Sequence, residues 1–175
     1  MTKQENSYSL WIRPSQTQID ELTMIISRLS HRYRTTPFPP HITLLPNITA
    51  PINTIEKACR KIIERHQVFD IKLKEIAYTQ DYYRNLYIST KTKTLLTALY
   101  EDTKDTLSSE TDDIYMPHVS LLYGKLDAKQ QHALKEELKG SYANTYNCQR
   151  LDIYNTTNKV SEWHLVKTYY LSKSE

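Results

Sequence analysis

Pro40-His41-Ile42-Thr43-Leu44-Leu45 and Pro117-His118-Val119-Ser120-Leu121-Leu122 are one six-residue design written twice. Each runs proline, histidine, aliphatic residue, hydroxyl residue, leucine, leucine. In an extended strand residues i and i+2 share a face. His41 therefore shares a face with Thr43, and His118 with Ser120. The aliphatic residues between and after them pack beneath.

Working outward, Ser7 to Arg13 alternates as a strand, with Tyr8, Leu10 and Ile12 on one face and Ser9, Trp11 and Arg13 on the other. Pro14 ends it. Ser15-Gln16-Thr17-Gln18 has the form of a capping box, and Ile19, Leu22, Ile25, Ile26, Leu29 and Tyr33 follow at helical spacing. The stiff segment Thr35 to Pro40 leads into the first histidine strand, 41–45. A second cap, Asn53 to Glu56, precedes a helix carrying Ile55, Ala58, Cys59, Ile62 and Ile63. Strands at 68–78 and 83–90 form a hairpin through Gln80-Asp81. A helix from Lys91 to about Ser109 turns Leu95, Leu96, Leu99, Thr103 and Leu107 inward. The second histidine strand, 118–123, follows Tyr115-Met116-Pro117. A third capping box, Asp127 to Gln130, opens a short helix that Gly140 stops. Strands at 149–155 and 160–171 close the chain.

Strands next to helices, with hairpins, predict an α+β fold with antiparallel sheets. The order reads as a weak duplication, one histidine motif per half. The expected architecture is bilobal: two pseudo-symmetric lobes, each with an antiparallel sheet and outer helices, sharing a central cleft. Residues 1–175 are expected to form this single two-lobed domain.

Composition narrows the function classes. The 175 residues carry a formal charge of +3, which suits a small anionic ligand and not a stable grip on long nucleic acid. With only 2 glycines, neither a phosphate-binding glycine loop nor a dinucleotide fingerprint can be written. Most of the 14 tyrosines suit half-buried strand positions. Cys59 and Cys148 stand far apart, which argues against a zinc site or a disulfide framework. The polar start, Met1 to Asn6, has no apolar core, and no run is long enough to span a membrane. A cytoplasmic protein, a monomer, with no metal, no cofactor and no membrane partner is expected.

Opening a phosphodiester needs a proton taken from water, a proton given to the leaving oxygen, and donors for the non-bridging oxygens. Histidine, with an ordinary pKa of about 6.5, suits the first two roles near neutrality. Two histidines on opposite sides of phosphorus can divide them, while Thr43 and Ser120 donate to the phosphate. A lone His-x-Ser/Thr in a strand is ordinary packing. Two copies in equivalent places of two halves mark a site.

These paired His-x-Thr/Ser motifs are the signature of the two-histidine phosphoesterase superfamily. Within it the chain resembles the cyclic phosphodiesterases of plants and yeast. Ser9-Leu10-Trp11, Phe38-Pro39-Pro40-His41-Ile42-Thr43 and Tyr115-Met116-Pro117-His118-Val119-Ser120-Leu121-Leu122-Tyr123 carry the resemblance, which runs almost end to end through Arg150-Leu151 and Glu162-Trp163. It implies a bilobal fold with a water-filled cleft. It also implies hydrolysis of ADP-ribose 1″,2″-cyclic phosphate to the 1″-phosphate, and of nucleoside 2′,3′-cyclic phosphates to 2′-phosphates, so a small nucleotide or cyclic phosphate is the expected partner. By the match His41 and His118 are acid and base, with His118 as base the favoured assignment. Thr43 and Ser120 bind phosphate, and Trp11 and Tyr123 line the pocket and stack on sugar or base.

Strand alternation puts Trp11 on the polar face, as a stacking residue needs. Tyr123 fits only if the strand ends or bends near Leu122, since strict alternation turns it away from Ser120. Tyr82 and Tyr83 are further candidates for the pocket wall. Arg13 either reaches a second phosphate or is a solvated strand end. His31, His66, His132 and His164 have ordinary placements. Two competing functions remain: an RNA-directed phosphoesterase or ligase of the same superfamily, acting on 2′–5′ linkages or 3′ ends, and a nucleotide-binding module without chemistry.

Overall fold

A computed structural model describes residues 6–91, 94–111 and 114–173. The polar start Met1 to Glu5 and positions 92 and 93 of the predicted third helix lie outside the described residues. The strands are β1 (Tyr8–Arg13), β2 (Ile42–Ile48), β3 (Phe69–Ala77), β4 (Leu86–Thr90), β5 (His118–Leu122), β6 (Thr145–Cys148), β7 (Arg150–Asn155) and β8 (His164–Tyr170). The helices are α1 (Gln16–Tyr33), α2 (Ile52–Arg65), α3 (Thr94–Leu107) and α4 (Ala128–Glu137). Short 3₁₀ turns at Tyr82–Arg84 and Val160–Glu162 sit in the β3–β4 and β7–β8 connections.

The α+β class and the antiparallel pairing match expectation. The two separate sheets do not: all eight strands form one sheet, in the order β6-β3-β4-β5-β2-β1-β7-β8. The two histidine strands are its central pair, joined by a single residue pair, Ile42 with Val119. Four strands lie on each side of that seam. The helices explain why the halves fuse. α1 follows β1 but packs on β5, and α3 follows β4 but packs on β2, so each helix crosses the seam and both halves share one core. The sheet also curls. β6 runs into β7 through Gln149 alone, Gln149 N–H donates to the Arg13 carbonyl, and Gln67 bridges Ser172.

Strand alternation separates the two faces. Leu10, Ile12, Ile42, Leu44, Leu86, Ile88, Val119, Leu121, Leu151 and Ile153 are all buried in the core, beneath the helices. Burying each such side chain contributes about 1.5–3 kcal/mol before chain entropy is charged. The opposite face carries the polar and aromatic members of the same strands.

Local signals held unevenly. The Asp127 box is formed in both directions, and Gly140 adopts φ 76° just past α4. At α1, Ser15 is the N-cap but makes no side-chain cap. Gln18 instead ties the helix to β6, accepting from the Asn147 N–H and donating to the Thr145 carbonyl. α2 starts at Ile52 behind Pro51, so the Asn53 cap is not used. The β3–β4 link is no tight hairpin, because Asp81 accepts from the Tyr83 N–H and winds the 3₁₀ turn. β6 adds a strand outside those the sequence pattern predicts, and Leu95 is half exposed rather than facing inward.

Candidate functional site

The single pair Ile42–Val119 sets the geometry of the site. In an antiparallel register, stepping one residue along each strand in opposite directions keeps partners opposite. His41 thus lies across from Ser120, and Thr43 across from His118. The neighbouring strands add Trp11 opposite Thr43, Tyr87 opposite Ser120 and Ser89 opposite His118. The structure therefore brings His41, Thr43, His118 and Ser120 together on one face at the seam.

The two imidazoles are held alike. Nδ1 of His41 meets the Pro39 carbonyl at 2.6 Å, and Nδ1 of His118 meets the Met116 carbonyl at 2.8 Å. A carbonyl only accepts, so Nδ1 carries a proton in both. Nε2 is then the atom left to take or give a proton. In both motifs the carbonyl belongs to the residue two before the histidine, so the proline lead supplies the orienting group.

The surroundings of the two rings differ. His41 is buried, 5% exposed, and burial lowers its pKa to about 3 against the pull of the Pro39 carbonyl. Arg13 and His118 push it the same way as burial. His118 is only partly buried. Burial lowers its pKa too, with Arg84 adding to the effect, but the Met116 carbonyl and Asp81 oppose it. Asp81 and Arg84 form an ion pair at 3.3 Å beside it.

Trp11 is on the polar face, as alternation predicts, but it is 1% exposed. The His41 ring stacks on it at 3.6 Å and 4°, and Tyr154 stacks at 3.7 Å and 20°. β1 lies between β2 and β7, so these rings cover opposite faces of the indole. Its N–H donates to Ser9 Oγ at 2.8 Å. Tyr123 lies just past the end of β5, freed from the strand alternation. Its ring stacks on Phe38 at 3.6 Å. Ser120 donates to the Tyr83 carbonyl at 2.9 Å, whereas the Thr43 hydroxyl makes no hydrogen bond among the described residues.

Arg13 is no solvated strand end: it is 5% exposed and donates to the Tyr154 hydroxyl at 3.0 Å. Asp152, fully buried opposite Trp11, lies 4.0 Å from Arg13 and 3.6 Å from Arg150, and accepts from Thr168 at 2.7 Å. Sequence reading missed Asp152, Tyr154 and Trp163 as members of this neighbourhood. The available signal was the alternation of Arg150, Asp152 and Tyr154 with the apolar Leu151 and Ile153 in β7. His31, His66, His132 and His164 all lie outside the seam; His66 pairs with Asp102 at 2.8 Å. A hollow of about 300 Å³ lined by Lys74, Glu75, Lys135 and Lys139 also lies away from the histidines, among exposed ion pairs. No helix among the described residues is long and apolar enough to cross a membrane.

A model of the cyclic phosphodiesterase-like protein family matches residues 6–171. No curated protein matches the sequence. Among solved structures, E. coli LigT complexed with 3′-AMP superposes with a TM-score of 0.64 at 13% identity, covering 96% of this chain and 99% of that one. A Thermus thermophilus protein gives 0.67 at 11%, covering 97% and 100%. Kluyveromyces marxianus Usb1 gives 0.51 at 12%, covering 96% and 98%. At these identities the likeness is one of fold.

Proposed function

The chain belongs to the cyclic phosphodiesterase-like family, and from that premise we propose that it hydrolyses cyclic phosphates of ribose-type sugars. The substrates proposed are ADP-ribose 1″,2″-cyclic phosphate, opened to the 1″-phosphate, and nucleoside 2′,3′-cyclic phosphates, opened to 2′-phosphates. The observation that carries this reading is the matched pair of imidazoles at the seam, each pinned through Nδ1 to a carbonyl and each leaving Nε2 free.

In the proposed step, one Nε2 takes a proton from water as the water oxygen bonds to phosphorus. The bond from phosphorus to one ribose oxygen breaks, and the other Nε2–H protonates that oxygen. One histidine ends protonated and the other neutral, the reverse of the start, and solvent resets them. Thr43 and Ser120 donate to the non-bridging oxygens. The depth of burial favours His41 as base and His118 as acid, opposite to the assignment preferred from sequence. His41 is deeper and faces Arg13, so it is the harder ring to protonate, while His118 is only partly buried and the Met116 carbonyl and Asp81 work against the effects of burial and Arg84. Trp11 acts by holding His41 rather than by stacking on substrate, since both faces of its indole are occupied.

The test is incubation of the purified protein, with EDTA present, with each of these cyclic phosphates and identification of the product isomer. Turnover to the 1″- or 2′-phosphate is expected, and none with any substrate overturns the proposal. His41→Ala and His118→Ala should each lose about 10²–10⁴ in rate. An unchanged rate in either removes the two-histidine mechanism.

A further inference from the structure

Tyr83 and Trp163 face each other at the rim of the polar face. Tyr83 belongs to the 3₁₀ turn between β3 and β4, and Trp163 follows the turn between β7 and β8, so each half of the sheet supplies one ring. The rings are 20° from parallel with centroids 6.2 Å apart. Tyr123 stands edge-on to both, at 5.2 Å and 6.1 Å, and the Tyr83 carbonyl accepts from the Ser120 hydroxyl at 2.9 Å. Trp163 also meets Trp11 edge-on at 5.9 Å, and Trp11 backs His41. The two rings therefore stand beside the Ser120 hydroxyl and, through Trp11, one histidine.

We infer that Tyr83 and Trp163 form a stacking slot for a nucleobase, so that the site selects base-bearing cyclic phosphates over those of a bare sugar; this rests on the proposed activity. Trp11 cannot stack on a base, because His41 and Tyr154 already cover it. Tyr83 is 51% exposed, far more than a packing residue in this neighbourhood, and the proton transfers do not use it. A base held between two rings needs about 7 Å, twice a contact distance of about 3.5 Å. With their centroids 6.2 Å apart and their planes 20° from parallel, the rings must swing apart to admit a base. The Trp163 N–H is tied to the Asn158 carbonyl at 2.9 Å, which makes it the fixed wall. The Tyr83 hydroxyl has no hydrogen-bond partner among the described residues, which makes its ring the wall that moves.

The test compares uridine and adenosine 2′,3′-cyclic phosphates with methyl riboside 2,3-cyclic phosphate, in wild type, Tyr83→Ala, Tyr83→Phe and Trp163→Ala. Stacking on one aromatic side chain corresponds to roughly tenfold or more. KM for the nucleoside substrates should rise by about that factor in the two alanine variants, with kcat little changed, and Tyr83→Phe should match wild type. The methyl riboside should be unaffected throughout. Equal losses on both substrate types, or wild-type indifference to the base, overturn the slot. If wild type turns over nothing, the proposed activity fails, and tryptophan fluorescence decides the slot by itself. Quenching by a nucleoside 2′-monophosphate, absent with methyl riboside 2-phosphate and lost in Trp163→Phe, supports it; no quenching overturns it.

Discussion

His41 lies flat on Trp11, with ring centroids 3.6 Å apart and 4° between planes. With Nδ1 fixed by the Pro39 carbonyl, the stack removes the remaining freedom of the imidazole to tilt. In the proposed reaction, a histidine held this way would meet the phosphate without reordering. Trp11→Ala leaves a large hole and is expected to cost about 3–5 kcal/mol of stability. Trp11→Phe keeps a flat apolar ring, so it should fold. It is expected to lower kcat by about tenfold, with KM for a nucleoside cyclic phosphate nearly unchanged, because a small misplacement of a catalytic group costs rate before binding. A rise in KM alone would make Trp11 a substrate-stacking residue instead. Steady-state kinetics on the phenylalanine variant separates the two.

The burial that fixes His41 also links its protonation to folding. Its pKa falls from 6.5 when unfolded to about 3 when folded. The folded state binds fewer protons between these values, so stability rises with pH across that window. The contribution is fully present above about pH 6.5 and is lost as pH falls toward 3. At about 1.4 kcal/mol per pH unit this is several kcal/mol. Thermal melts from pH 7 to pH 4 should show a steep loss of Tm in wild type and a shallower one in His41→Asn. Parallel curves would mean that His41 titrates normally in the fold.

Both histidine strands, their shared faces and the class of fold could be read from the sequence, because alternation in a strand is a local property. The continuity of the sheet could not. It depends on one cross-strand pair, Ile42–Val119, and on helices that pack on the strand of the other half, and neither has a sequence signature. The same distinction separates the site residues. His41, Thr43, His118 and Ser120 follow from period two. Tyr123 faces the site only because β5 stops at Leu122. The burial of Trp11 depends on Tyr154 and Asp152, which arrive from a strand about 140 residues later and join β1 through non-local pairing.

Arg13 is expected to tune His41 through its charge. It is buried, lies beside His41 on the adjoining strand, and opposes protonation of that ring. Arg13→Met keeps most of the side-chain bulk and removes the charge. The acid limb of kcat/KM, which reports the base in the free enzyme, should move to higher pH, as should the His41 titration followed by NMR. The substitution also leaves Asp152 with Arg150 alone, so it should destabilise the fold. Combining it with Asp152→Asn should recover part of that loss, because the buried carboxylate goes with its partner. An unmoved acid limb in Arg13→Met would show that burial alone sets the state of His41.

Thr43 and Ser120 occupy equivalent places in the two motifs, yet only one hydroxyl is committed. Ser120 donates to the Tyr83 carbonyl at 2.9 Å, while Thr43 has no such bond among the described residues. To donate to a phosphate oxygen, Ser120 must give up a bond inside the protein, whereas Thr43 gives up none among the described residues. Thr43→Val, which keeps shape and removes the donor, should therefore lower kcat/KM by about ten- to a hundredfold with a Tm change within experimental error. Ser120→Ala should lower kcat/KM by less, because the bond it would gain is offset by the one it already has. It should also lose about 1 kcal/mol of stability from the unpaired Tyr83 carbonyl. Kinetics and urea melts on the two variants check both halves. Equal kinetic losses with equal stabilities would mean that the Ser120–Tyr83 bond has no weight in the free protein.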